Sequence, residues 1–248
     1  MKIGSLFAGI GGLELGLEWA GVGHTVWQVE QNEYAQRVLA KHWPAARRYD
    51  DVRTVGTHNL EPVDVLCGGF PCQDISWAGD GAGLDGARSG LWSEYRRLIR
   101  ELRPSYAVVE NVSALLARGL GTVLGDLAEL GFDAEWSCVF GCSVGAPHPR
   151  QRVFIVAYAN GLDGRARVRD SAARERGQVP TLDGAPRSRA DWRARLANPS
   201  ALYGGADGVP FGMDRNRAIG NAVMPAVGYV VGKKLLAIDE ELRAAEAA

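Results

Sequence analysis

Residues 2–17 read Lys-Ile-Gly-Ser-Leu-Phe-Ala-Gly-Ile-Gly-Gly-Leu-Glu-Leu-Gly-Leu. The stretch begins with apolar residues, continues through glycines at positions 9, 11 and 12, and ends in an amphipathic run that reaches about Ala20. This pattern predicts a strand, a tight turn and a helix, an arrangement typical of nucleotide-type cofactor sites. Glycines let a backbone approach a ligand and let a helix cross closely. A turn that serves packing alone explains the same glycines equally well.

The second unit also has the pattern of a strand followed by a helix. Residues 24–30 alternate between apolar and polar side chains and end in Glu30, and Asn32 is predicted to cap a helix that runs to about His42. In doubly wound folds, an acid at this strand end binds ribose hydroxyls. Glu30 follows Gly12 at close to the spacing of about 20 residues expected for that role. A solvated acid near a helix start is the equal alternative.

A candidate nucleophile follows the next apolar run. Residues 63–67 are mostly apolar and end in two glycines, as a buried strand does when it enters a tight loop. Pro71 then restrains the backbone before Cys72, whose polar neighbours are typical of a reactive thiol. Cys67, inside the apolar run, fits an ordinary core residue. The stretch 77–90 contains five glycines and is predicted to be a long loop of the kind used as a lid or binding segment.

Further polar residues are predicted at strand ends. A helix is expected over 91–102, with Leu91, Tyr95, Leu98 and Leu102 on one face, and Pro104 stops it. The buried strand 106–112 then carries a carboxylate, Glu110, and an amide at its carboxyl end. In an open parallel sheet the carboxyl ends of the strands line one crevice. We therefore expect four side chains to converge there: Glu30, Asp51, Cys72 and Glu110.

The rest of the chain predicts one more helix–strand pair and a basic segment. A helix near 120–130 and a strand from Asp133 precede Arg150 and Arg152, which enter the strand 153–157 on the same side and favour salt bridging. Between residues 165 and 195 there are nine arginines and four acids. Such a segment suits phosphate and guanine contacts, or is a solvated disordered loop. A long helix is expected from Arg217 to the C-terminus.

Composition limits the classes of protein. With 248 residues, 46% of them hydrophobic, and a formal net charge of −1, the chain fits one α/β domain with a small appendage. It has neither an apolar run long enough to cross a membrane nor a signal-peptide pattern, so we expect a cytoplasmic protein. Its four cysteines and four histidines form no Cys-x-x-Cys or His-Glu-x-x-His motif, and no structural metal is expected.

Taken in order, these features resemble the C5-cytosine DNA methyltransferase family, in a bacterial or phage form with a short target-recognition region. The motifs that carry the resemblance span nearly the whole chain. They are Phe7-Ala-Gly-Ile-Gly-Gly, Glu30, Asp51, Gly69-Phe-Pro-Cys-Gln, Glu110-Asn-Val, the Arg150 and Arg152 pair, and Gly220-Asn-Ala-Val. Agreement at several levels is what supports the assignment.

The resemblance implies a doubly wound, Rossmann-like fold that binds S-adenosyl-L-methionine. The implied domains are a catalytic unit over 1–158, a small irregular target-recognition region over 159–210, and a C-terminal helix over 211–248 that returns to the catalytic unit. The implied cofactor residues are Phe7, Ala8, Gly9, Gly11, Gly12, Leu13, Glu30, Asp51, Val52, Gly69, Pro71, Leu91, Asn221 and Val223. The implied catalytic residues are Cys72, Glu110, Arg150 and Arg152, and the implied DNA contacts are Gln73, Ser76, Arg187 and Arg189.

The implied activity is transfer of a methyl group to carbon 5 of a cytosine that is flipped out of double-stranded DNA, through a covalent Cys72 adduct. The implied protein is a monomer that needs no metal, lies at the nucleoid when bound to DNA, and has a possible cognate restriction enzyme. One departure is His148, which stands where the family commonly has a glutamine. The alternatives are an RNA methyltransferase of the same fold, a dinucleotide-dependent oxidoreductase and a catalytically silent DNA-binding relative.

Overall fold

The computed structural model describes residues 1–71, 90–146, 150–159 and 221–247. In these ranges seven strands form one sheet, in the order β3-β2-β1-β4-β5-β7-β6. The strands are β1 (Lys2–Leu6), β2 (His24–Val29), β3 (Arg47–Tyr49), β4 (Val65–Gly69), β5 (Tyr106–Val112), β6 (Phe132–Phe140) and β7 (Gln151–Ala159). The helices are α1 (Gly12–Ala20), α2 (Glu33–His42), α3 (Leu91–Leu102), α4 (Leu115–Arg118), α5 (Leu120–Glu129) and α6 (Pro225–Glu246).

Helices cover both faces of the sheet, so the predicted doubly wound α/β fold is confirmed. On one face, α3 and α5 pack onto the sheet through buried residues such as Trp92, Leu98 and Val123. On the other face, α1 and α6 do so through residues such as Leu17 and Leu235. Cys67 is fully buried in this second core, as predicted.

The sheet is not wholly parallel, and this corrects the expectation of an open parallel sheet. The strands β1 to β5 pair in parallel, whereas β7 runs antiparallel to both β5 and β6. Val112 at the carboxyl end of β5 therefore lies opposite Arg152 at the amino end of β7. This reversal brings the arginine pair to the edge of the sheet where the polar strand ends lie.

Small residues let α1 and α6 cross closely. A Cβ atom added at Gly16 would lie 2.4 Å from the Pro225 carbonyl oxygen and 2.5 Å from the Gly228 Cα atom. One added at Gly232 would lie 2.6 Å from the Ala20 Cβ atom. The spacing of four residues on each helix places these small side chains on one face. The glycines are therefore required by the helix crossing.

Two helix predictions need correction. The last helix begins at Pro225, not at Arg217, since Met224 is extended and the proline occupies the first turn, where its missing N–H costs nothing. In α3 the most buried residues include Trp92 and Ile99, whereas Leu91 and Leu102 at its ends are half-buried. Trp92 is anchored because its indole N–H donates to the Asp126 carboxylate of α5 at 2.6 Å.

The described residues contain no helix long and apolar enough to cross a membrane. Within those ranges there is also no cluster of three or more His, Cys, Asp or Glu side chains arranged to hold a metal ion.

Candidate active site

The glycine turn after β1 is held against the end of β2. Glu30 fixes the turn, because its carboxylate accepts hydrogen bonds from the backbone N–H of Gly9 at 2.7 Å and from that of Asn32 at 2.8 Å. Phe7 and Gly9 both have positive φ, 54° and 57°. A Cβ atom added at Gly9 would meet nothing within 4 Å, so open space lies in front of the turn. The turn thus offers an exposed backbone beside an oriented carboxylate.

The next two glycines are packed from behind. A Cβ atom added at Gly11 would lie 2.4 Å from the Trp43 ring, and one added at Gly12 would lie 1.9 Å from the Val223 carbonyl oxygen. Val223 therefore lies directly on the first turn of α1, although it is more than 200 residues away in the chain. Leu13 is buried below this turn, whereas Asn221 is exposed.

The third strand end carries Asp51 and Val52. The Asp51 carboxylate caps the short 3-10 helix Val52–Thr54 by accepting from the Arg53 backbone N–H, and it also pairs with the Arg53 guanidinium at 2.8 Å. This pairing lowers the pKa of Asp51. Val52 is buried in the core. The structure therefore positions an ionised carboxylate next to an apolar residue here.

Glu110 lies at the carboxyl end of β5, opposite Gly69 of β4. Its carboxylate pairs with the Arg152 guanidinium at 2.9 Å and is almost fully buried. A Cβ atom added at Gly69 would lie 2.3 Å from Glu110 Oε2, so only glycine leaves room for this carboxylate. Burial raises the pKa of Glu110, and the charges of Arg152 and Arg150 oppose that shift.

The backbone that leads to Cys72 is tied to the same strand. Asn111, which is buried, donates from its side-chain amide to the Phe70 carbonyl oxygen at 3.2 Å. Its own amide oxygen accepts from the backbone N–H of Val112 at 2.8 Å, which fixes the side-chain orientation. The backbone of Phe70, which directly precedes Pro71, is therefore held beside Glu110. The sequence analysis predicted an amide at this strand end but did not predict its hydrogen bond to Phe70.

Several predicted residues lie outside the described ranges. They are Cys72, Gln73, Ser76, His148, Arg187 and Arg189. Of the other predicted residues, Glu30, Gly69, Glu110 and Arg152 stand at one edge of the sheet, as do the glycine turn and Asn221–Val223. Leu91 begins α3 and is half-buried. Ala8 and Pro71 are half-buried; Ala8 lies at the start of the glycine turn, and Pro71 lies two residues after β4.

A buried polar cluster lies behind the glycine turn and was missed from the sequence. Ser5 of β1 pairs in register with Gln28 of β2 and Cys67 of β4, and Glu14 of α1 belongs to the same buried group. Within the described ranges, the Ser5 hydroxyl, both Glu14 oxygens and both polar atoms of the Gln28 amide have no hydrogen-bond partner. Burial raises the pKa of Glu14 to about 7. The sequence did contain a sign of this cluster: Ser5 and Gln28 are polar residues at buried positions of the strands β1 and β2.

The same fold occurs in solved methyltransferases. The chain resembles a solved Escherichia coli prophage protein described as a DNA modification methyltransferase, with a TM-score of 0.56 and 26% identity over 65% of this chain and 47% of that one. It shares its fold with a Spodoptera frugiperda DNMT2 variant, with a TM-score of 0.53 and 23% identity over 68% of this chain and 53% of that one.

The family model for C-5 cytosine-specific DNA methylases matches residues 1–185, so the chain belongs to that family. It is 36% identical to the type II methyltransferase M2.BsuMI of Bacillus subtilis, over 63% of this chain and 42% of the relative. It is 30% identical to M.HhaI of Haemophilus parahaemolyticus, over 64% and 49%. The chain therefore spans about half the length of these curated relatives.

Proposed function

We propose that this protein is a DNA (cytosine-5-)-methyltransferase that uses S-adenosyl-L-methionine and a covalent Cys72 adduct. The observation that carries the proposal is the buried Glu110–Arg152 pair at the carboxyl end of β5, next to the backbone that leads into Cys72. This pair lies on the same edge of the sheet as the glycine turn and Glu30. A cofactor and a base bound there would meet at one place.

The residues around the glycine turn fit S-adenosyl-L-methionine. The open space at Gly9 leaves room for a ligand against the backbone. Both Glu30 oxygens are already oriented by backbone N–H groups and retain lone pairs for the two ribose hydroxyls. Asp51 and Val52 would flank the adenine, with Leu91 nearby, and Val223 would complete the wall behind Gly12. When bound, the cofactor supplies an electrophilic methyl group.

Cytosine carbon 5 is a poor nucleophile because its electrons belong to an aromatic ring. Addition of the Cys72 thiolate to carbon 6 would break that aromaticity and place charge toward ring N3. Glu110 is suited to meet this charge, because its raised pKa keeps a proton available at higher pH than for an ordinary glutamate. Carbon 5 would then attack the methyl group of S-adenosyl-L-methionine, with S-adenosylhomocysteine as the leaving group. Loss of the carbon 5 proton and departure of the Cys72 thiolate would then restore the ring.

The two arginines supply positive charge at this place. Arg152 orients Glu110 and would also hold the cytosine carbonyl oxygen. Arg150 would support the Cys72 loop and a neighbouring phosphate. Positive charge close to the thiol favours its thiolate form.

The substrate is proposed to be duplex DNA with the cytosine flipped out, because a stacked base cannot be reached from both faces. Gln73 and Ser76 would contact the vacated position. The segment 159–210, including Arg187 and Arg189, would contact phosphates and bases. We propose a cytoplasmic monomer that acts at the nucleoid, with a restriction enzyme as a possible partner.

The test is incubation with tritiated S-adenosyl-L-methionine and either duplex DNA or RNA. We expect wild type to label cytosine carbon 5 in DNA, and Cys72→Ala to lose that label by a factor of at least about 10³, the scale of losing an essential catalytic group. Cys142→Ala is the matched control, since Cys142 is exposed and should be dispensable. Label in RNA alone, or undiminished label from Cys72→Ala, would contradict the proposal.

A further inference from the structure

Arg150 makes a long-range contact that its predicted role does not explain. Its guanidinium donates to the Ala222 carbonyl oxygen at 2.7 Å, across 72 residues of sequence. Arg152, two residues later, contacts Glu110 and the Gln151 carbonyl oxygen. The two arginines therefore have different partners, although both charges act on Glu110.

The segment that Arg150 holds forms one wall of the proposed cofactor site. Its next residue, Val223, is packed so tightly on α1 that a Cβ atom at Gly12 would lie 1.9 Å from the Val223 carbonyl oxygen. The following carbonyl, that of Met224, accepts from the backbone N–H groups of Val227 and Gly228 in the first turn of α6. The Arg150 hydrogen bond is thus the first link in a short chain of contacts that ends at the glycine turn.

Burial favours a structural use of this guanidinium. Removal from water, together with the charge of Arg152, lowers the pKa of Arg150, and Glu110 raises it in part. A half-buried guanidinium that lost its partner would leave donors only partly satisfied by water. Among the described residues, Ala222 provides the hydrogen bond that compensates this burial.

We propose that Arg150 is a positioning residue of the cofactor pocket: by holding the Ala222 carbonyl, it keeps residues 221–224 seated against the first turn of α1. This inference rests on the proposed function, because it assumes that the glycine turn binds S-adenosyl-L-methionine. It adds to the proposed roles of Arg150 one at the cofactor wall, which Arg152 does not share. The affinity for the cofactor then depends also on Arg150, which directly precedes β7, and not on the glycine turn alone.

The experiment measures binding of S-adenosylhomocysteine by calorimetry in the absence of DNA. Arg150→Met is expected to weaken binding roughly tenfold, the scale of one lost hydrogen bond to a charged donor. Arg100→Met, which removes an arginine charge at an exposed position of α3, is expected to bind as wild type does. Arg150→Lys keeps a charged donor and should recover part of the affinity. Arg150→Leu, which also has no hydrogen-bond donor, serves as the second removal variant should the methionine variant fail to fold.

Hydrogen exchange at Val227 and Gly228 provides an independent measurement. These amides should exchange faster in Arg150→Met and at the wild-type rate in Arg100→Met, because their acceptor is the Met224 carbonyl. Unchanged affinity and unchanged exchange in Arg150→Met would overturn the inference, as would equal weakening by Arg100→Met. Failure of the wild type to bind S-adenosylhomocysteine would instead refute the proposed function, and exchange would still decide whether Arg150 holds the segment.

Discussion

Replacing Glu14 by glutamine should make the protein more stable at alkaline pH. Glu14 is buried among Ser5, Gln28 and Cys67, and burial is the main reason that its pKa rises from 4.5 to about 7. The unfolded chain ionises this carboxyl at the ordinary pKa. The folded protein binds the proton more tightly, so its stability falls as the pH rises from about 4.5 to about 7.

The size of this loss follows from the pKa shift. A shift of one pKa unit corresponds to about 1.4 kcal/mol, so a rise from 4.5 to about 7 costs about 3 kcal/mol of folding stability once both states are ionised. Below pH 4.5 both states hold the proton and the cost disappears. Glutamine has nearly the same shape and no charge, so Glu14→Gln should remove the whole cost.

The assay is urea unfolding followed by tryptophan fluorescence at pH 5, 6, 7 and 8, for wild type and Glu14→Gln. The gain in stability of the variant should be small at pH 5 and should reach about 3 kcal/mol at pH 8. Glu240→Gln is the matched control, since Glu240 is exposed on α6 and its replacement should leave the wild-type pH profile unchanged. A difference between wild type and Glu14→Gln that is the same at pH 5 and pH 8 would refute the reasoning.

Three further substitutions test the packing and the site. Gly69→Ala should remove methylation of DNA, because its Cβ atom would displace the Glu110 carboxylate; activity close to wild type in a tritium assay would contradict this. Gly16→Ala should lower the free energy of unfolding by about 1–3 kcal/mol, since its Cβ atom would press on Gly228 and the start of α6; an unchanged urea midpoint argues against that close crossing. Glu30→Gln should weaken S-adenosylhomocysteine binding roughly tenfold. The two Glu30 oxygens accept hydrogen bonds from the backbone N–H groups of Gly9 and Asn32, and the N–H₂ group of glutamine could not accept one of them. Calorimetry that gives the wild-type affinity would exclude this role.

Local patterns predicted most of the elements because their signals lie within a few residues. The alternation of residues 24–29 marks β2, and Asn32 caps α2 as expected, its side chain accepting from the Ala35 backbone N–H at 3.0 Å. The start of α6 was predicted too early, since the helix begins where Pro225 can occupy the first turn. The short helix α4 was not predicted at all, because four residues carry no periodicity.

What escaped prediction depends on contacts between distant parts of the chain. An apolar run does not show which way its strand runs, so the reversal of β7, and with it the meeting of Arg152 and Glu110, is visible only in the sheet. Arg150 donates to the backbone carbonyl of Ala222, and any residue has such a carbonyl, so the residue type at position 222 does not predict the contact. Ser5, Glu14 and Gln28 come from three different elements, β1, α1 and β2. Each is a single polar residue next to apolar ones, so the sequence does not show that the three meet.

The close crossing of α1 and α6 also sets the order in which the molecule can be completed during synthesis. Gly16 leaves the ribosome about 210 residues before Gly228, an interval of about 10–40 s at ordinary bacterial and eukaryotic elongation rates. Until α6 emerges, the small-residue face of α1 lacks its partner and the wall behind Gly12 is open. A nascent chain that already contains Cys72 and Glu110 therefore still lacks this wall, so we expect the proposed cofactor site to be complete only after α6 has been made.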